Sequence, residues 1–96
     1  TMTDKEAYLQ KMQAKLDEWD ANINTLKAKA SGASADAQIE LNKQADDLKS
    51  ERNEMKQKYE ELKDAGEDAW EDIRDGAEAA WDRVTLSFKN AKDRFK

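Results

Sequence analysis

The sequence contains no cysteine, no histidine and no proline, and glycine occurs only three times. Without cysteine there is neither a disulfide nor a thiolate, so packing alone must hold the fold, and an extracellular disulfide scaffold is excluded. Without histidine there is no Ser-His or Cys-His pair, no zinc site of the usual kind and no imidazole acid or base. The Glu-x-x-His motifs of a carboxylate dimetal centre in a helical bundle cannot be built either, and the glycines form no phosphate-cradling loop. No apolar run approaches the roughly 18 residues that cross a bilayer. Thr3-Asp4-Lys5-Glu6 does not fit the charged and apolar regions of a signal peptide, so a cytoplasmic protein is expected. Thr1 ahead of Met2 reads as a residue left by cloning, with Met2 as the expected native start, although a processed precursor would begin in the same way.

What is present is helix-forming. Hydrophobic residues make up 38% and charged residues 41% of the 96 positions, a balance at which spacing decides between order and disorder. The length suits one domain with one core. From Leu9 the apolar positions run Met12, Leu16, Trp19, Ile23, Leu26 and Ala30, alternating threes and fours on one helix face. Thr3 with Glu6 reads as a capping box that starts this helix, about residues 3–30. Lys27 and Lys29 complement the negative end of its dipole, and Ser31-Gly32-Ala33-Ser34 supplies a glycine for a left-handed cap and a serine to start the next helix.

The second run, expected over about 35–64, is Ile39, Leu41, Ala45, Leu48, Arg52, Met55, Tyr59 and Leu62. Arg52 occupies a position the pattern wants apolar. It could be a buried charge that sets register or binds a partner. The commoner arrangement, adopted here, lays the stem on the seam and leaves the head in water.

The last third carries an 11-residue repeat. Gly66, Ala77 and Phe88 correspond, as do Ala69, Ala80 and Ala91, then Trp70, Trp81 and Lys92, then Ile73, Val84 and Phe95. At about 100° per residue they form a stripe about 120° wide, enough to be buried on other helices. The three-four phase passes from Tyr59 and Leu62 through Gly66 to Ala69 and Ile73 without a slip, so two architectures fit. In the expected one the chain breaks near Gly66 and a third helix, about 67–95, folds back to give an all-α antiparallel three-helix bundle. That places Trp19, Leu48 and Trp81 at one height and Tyr8, Tyr59 and Trp70 at another. In the alternative, a helical hairpin, one long continuous second helix runs towards the C-terminus and a second subunit completes it.

Charge is uneven. The local net charge is 0 over residues 1–34, −2 over 35–63, −7 over 64–82 and +4 over 83–96. Within one helix, acids first and bases last complement the backbone dipole and need no ligand. The functional counterparts are antiparallel self-association and docking of the basic, Phe-bearing tip on an anionic membrane surface. Nucleic acid is not expected, because the net charge is −5 and the acidic stretch adjoins the basic one. Asp64, Glu67, Asp68, Glu71, Asp72 and Asp75 lie at helical spacings without a shaped loop, which reads as a solvated face, not a metal site. Trp70 and Trp81, beside small residues, read as core packing in preference to an aromatic ligand pocket.

Three stretches carry a resemblance: Lys11-Met12-Gln13-Ala14-Lys15-Leu16-Asp17-Glu18-Trp19, Ala33-Ser34-Ala35-Asp36-Ala37, and Leu62-Lys63-Asp64-Ala65-Gly66-Glu67-Asp68-Ala69-Trp70-Glu71-Asp72. Over nearly the whole chain they resemble a family of small bacterial coiled-coil proteins, some labelled stress-response. The resemblance implies a bacterial cytosolic source and suggests a stress role, and it brings no active site. The 11-residue repeat is also similar to those of exchangeable apolipoproteins and desiccation-stress proteins, a likeness that helical periodicity produces by convergence. The expectation is therefore a non-enzymatic helical protein without catalytic residues, cofactor or metal, which associates with itself or another helical protein. The alternative is a lipid-binding protein that opens and lays the face of Trp70, Ile73, Trp81, Val84, Phe88 and Phe95 in a membrane interface.

Overall fold

The computed structural model describes residues 3–94; the expectations on Thr1, Met2 and Phe95 lie outside the described residues. Within that span the chain forms three helices, α1 (Asp4–Ser31), α2 (Ala35–Asp64) and α3 (Trp70–Arg94), packed as a rod of 52 × 23 × 20 Å. Contacts between α1 and α2 join Lys5 to Lys63 and Ala65 at one end and Asp20 to Arg52 at mid-height, so the two run antiparallel. Glu40 meets Arg94 and Glu54 meets Arg83, so α3 runs antiparallel to α2. The three-helix bundle, not the continuous second helix, is the fold.

Each helix buries the stripe its periodicity defines. Met12, Leu16, Trp19, Ile23, Leu26 and Ala30 face Leu41, Ala45, Leu48, Met55 and Leu62, and α3 adds Trp70, Ala77, Ala80, Val84, Phe88 and Ala91. No polar or charged residue of the described span is fully buried. Ile39 departs from expectation at 67% exposure. It stands two residues from Leu41, a separation of about 200° on a helix, so both cannot face the core.

Two ends differ from their sequence readings. Gly32 is not a left-handed cap: at φ −99°, ψ 6° it lies in right-handed space. The last turn of α1 is instead tightened by Gly32 N–H to Lys29 C=O (3.2 Å) and Ala33 N–H to Ala30 C=O (3.2 Å). At the start of α1, Glu6 N–H donates to Thr3 Oγ1 at 3.2 Å, the expected half of the capping box, while the Glu6 carboxylate accepts from the Thr3 hydroxyl at 3.3 Å. Ser34 is the residue before α2, and its carbonyl, not its side chain, takes the Gln38 N–H, at 2.7 Å.

The break between α2 and α3 centres on Ala65, which turns extended at φ −72°, ψ 143°. Gly66 follows, and its carbonyl accepts N–H groups from Ala69 (3.1 Å) and Trp70 (3.2 Å), so the turn into α3 begins there and regular helix at Trp70, later than the expected residue 67. A glycine kept inside a helix would cost only about 1 kcal/mol, so local propensity does not force the reversal. Burial of the α3 stripe on α1 and α2 does.

Arg52 also departs from its expected arrangement. Its head does not go to water but meets Asp20 of α1, with Nε 2.8 Å from Oδ1 and Nη2 donating to Oδ2 at 2.9 Å. The Nε–H is poorly aimed at its oxygen, so one good hydrogen bond and the charge attraction hold the pair. The contact ties the α1–α2 register at the height where the seam lacks an apolar residue.

Trp19 has the largest fully buried side chain, at 1% exposure. Truncation to alanine removes its contacts with α3, so Trp19→Ala is expected to cost about 3–5 kcal/mol, a large part of the roughly 5–15 kcal/mol of a small domain. Urea unfolding followed by circular dichroism checks this; a loss below about 1 kcal/mol would mean that the indole does not hold the bundle together.

Candidate interaction surface

The residues proposed for an interaction face lie on α3, and the structure turns most of them inward. Trp70, Val84 and Phe88 are buried at 5%, 0% and 5% exposure, while Ile73 and Trp81 are half-buried and pack on the core. Phe95 lies outside the described residues. The face is therefore the one that closes the bundle.

Aromatic rings mediate its approach to α1. Tyr8 meets Trp70 with ring centroids 6.5 Å apart, and Trp19 meets Trp81 at 5.5 Å, tilted by 51°. Trp19 also stacks on Phe88 at 5.1 Å with the planes 13° apart. The pairings of Trp19 with Trp81 and Tyr8 with Trp70 are those expected for helices folded back at equal heights. Cations lie over the outer rings: the Arg74 guanidinium is 5.0 Å from the Trp70 centroid and the Lys11 ammonium 5.9 Å from that of Trp81. Such contacts favour a charged head over an aromatic face without removing it from water.

Large rings also keep α1 and α3 apart. The two helices approach closely at few places, whereas α2 lies close to both. A groove of about 260 Å³ opens in that seam, with Leu26, Leu48, Phe88 and Ala91 on its floor and Lys29 and Lys92 among its lining. Nothing in the periodicity pointed to it, because it arises from the sizes of side chains on two helices remote in sequence. A smaller recess of about 160 Å³ lies by Tyr8, Met12 and Trp81. Burial pushes the Tyr8 hydroxyl above its ordinary pKa, with Glu78 adding to the effect, so at neutral pH it is a neutral phenol and a poor base.

The basic end of α3 is engaged with α2. Arg83 Nη2 lies 2.6 Å from Glu54 Oε1, Arg94 Nη2 lies 3.1 Å from Glu40 Oε1, and the Ser87 hydroxyl donates to Glu51 at 3.1 Å. Among the described residues no three carboxylates come together as a metal-ligand set, the acidic stretch included, and no helix is long and apolar enough to cross a membrane.

No protein-family model, curated protein or solved structure matches this chain. The functional reading rests on its own geometry.

The Arg83 hydrogen bond holds the Glu54 carboxyl below its ordinary pKa. A lowered folded-state pKa means that the pair stabilises the fold above the unfolded carboxylate's pKa and ceases to as pH falls through the folded value. Arg83→Gln should therefore move the Glu54 midpoint upward in an NMR titration of its side-chain carboxyl. An unmoved midpoint would show that the two side chains do not pair in solution.

Proposed function

We propose that this chain works without catalysis, through helix-to-helix association with a second copy or with another helical protein. The observation that carries this reading is the open α1–α3 seam: α2 is packed on both sides, while the third side of the bundle has an apolar floor of Leu26, Leu48, Phe88 and Ala91. A helix presenting a narrow apolar stripe is the shape that fits a groove between two parallel helices. The bacterial, cytosolic and stress-linked setting comes from the resemblance carried by residues 11–19, 33–37 and 62–72.

A peripheral lipid-binding role is the second reading, favoured by the sparse contact between α3 and α1. It requires α3 to leave the bundle, because Trp70, Val84 and Phe88 are buried while it stays. Anionic membranes would then compete with Glu40 and Glu54 for Arg94 and Arg83.

Light scattering over a range of protein concentrations, run beside flotation with neutral and anionic liposomes, separates the readings. Association predicts a molar mass that rises above 11.0 kDa with concentration and tryptophan emission unchanged by either liposome. A constant 11.0 kDa mass with a blue shift and co-flotation on anionic vesicles would replace self-association with the lipid reading.

A further inference from the structure

We propose that α3 exchanges between copies: residues 65–69 straighten, α2 and α3 become one helix, and α3 docks on the α1–α2 pair of a second copy in the register it now occupies on its own. This rests on the association reading and names the partner as a second copy of this chain.

The phase of the apolar stripe is the first support. If helix ran unbroken through the turn, Leu62, Ile73, Ala80 and Ala91 would fall within about 20° of one another at 100° per residue. A hinge that only ever had to bend would leave the stripes of α2 and α3 in arbitrary rotation. Here a continuous helix keeps one face, so the surface α2 buries and the surface α3 buries stay aligned.

The hinge itself has nothing that forbids helix. Residues 65–69 are Ala, Gly, Glu, Asp and Ala, no described residue has positive φ, and a Cβ added at Gly66 would meet open space. On straightening, the Lys63 and Ala65 carbonyls would accept from the N–H groups four residues on. In the folded-back form both carbonyls instead accept from the Lys5 ammonium, which latches the bend to the start of α1.

Register supplies the third support. The cross-helix pairs Glu40–Arg94, Glu51–Ser87 and Glu54–Arg83 have midpoints at residues 67 to 69, inside the hinge. A two-fold axis through the straightened hinge therefore re-forms each pair between copies without a shift. Exchange of an identical element is a low-cost route to a dimer, because the contacts regained are those given up.

The same axis sets Asp64, Glu67, Asp68, Glu71 and Asp72 of both copies at one height on the solvent faces of the two helices, with no basic residue in that stretch. Their repulsion opposes the exchange at low ionic strength and weakens as salt shortens the Debye length from about 10 Å at 0.1 M to about 3 Å at 1 M. Salt thus acts on the choice between a chain closed on itself and an extended pair.

The test is to unfold the full chain in urea, refold it at high protein concentration in low salt and in about 1 M salt, and measure mass by light scattering and maximum dimension by small-angle X-ray scattering. The high-salt sample should show twice the 11.0 kDa mass and a length of about 100 Å, from about 1.5 Å per residue between the Ala35 ends of two copies related by an axis near residue 68, against 52 Å for the closed form. Gly66→Ala should raise the dimerisation constant about thirtyfold, since each of two copies loses a helical glycine. Gly66→Pro should abolish the dimer, as Ala65 already has the extended conformation favoured before proline. A dimer no longer than the monomer would overturn the exchange and leave association standing, and a monomer in every condition would overturn both as self-pairing. Were the proline variant to misfold by circular dichroism, the alanine variant decides: no rise in dimer sinks the exchange.

Discussion

Trp19 is the contact on which the arrangement of the bundle depends. It stands at mid-length on α1, almost wholly buried, and touches both Trp81 and Phe88 of α3. An indole placed between two parallel helices brings α3 to α1 and also sets how near it can come. Elsewhere the buried positions are small, with alanine at Ala30, Ala45, Ala77 and Ala80. The open seam and its apolar groove follow from this difference in side-chain size along the same helices.

The second constraint is the hinge. Nothing local requires the chain to turn at residues 65–69: there is no proline, no left-handed residue, and one glycine whose helical penalty is about 1 kcal/mol. The reversal is held by what lies beyond it, namely burial of the α3 stripe, the Arg83 and Arg94 pairs with α2, and the Lys5 ammonium on the carbonyls at the end of α2. Exposed ion pairs contribute little each, so burial is the main term. A fold whose topology is fixed by tertiary contact alone is one in which the same contacts made by another copy serve as well.

Much of this was legible in the residues. The α1 stripe is the core face residue for residue, and the layering of Trp19 with Trp81 and Tyr8 with Trp70 follows from helices of nearly equal length folded back on one another. The bundle was the expected fold on that layering, although the apolar phase alone does not separate it from a continuous helix, because the phase crosses Gly66 unbroken and both forms satisfy it. Ile39 was misplaced by counting it with Leu41, two residues away and nearly opposite on a helix. Asp20 as the partner of Arg52, Lys5 as the latch of α2 and the groove at Leu26 and Phe88 are long-range pairings, set by how helices meet and not by any local pattern. For the candidate face, periodicity found the residues of α3 and left open whether they served solvent, lipid or the chain's own core; packing against α1 and α2 answers for five of the six.

The central claim is that at low ionic strength α3 is folded back on its own chain, with α2 and α3 antiparallel. Because the sequence has no cysteine, spin labels can be placed uniquely at Gln44 on α2 and Asn90 on α3, two residues that line one groove. The distance between them, measured by pulsed electron resonance in doubly labelled chains diluted into unlabelled protein at low salt, tests the claim directly. A single short distance, as for side chains across adjacent helices, is the predicted result. A distance near 70 Å, the span of a continuous helix at 1.5 Å per residue, would contradict it.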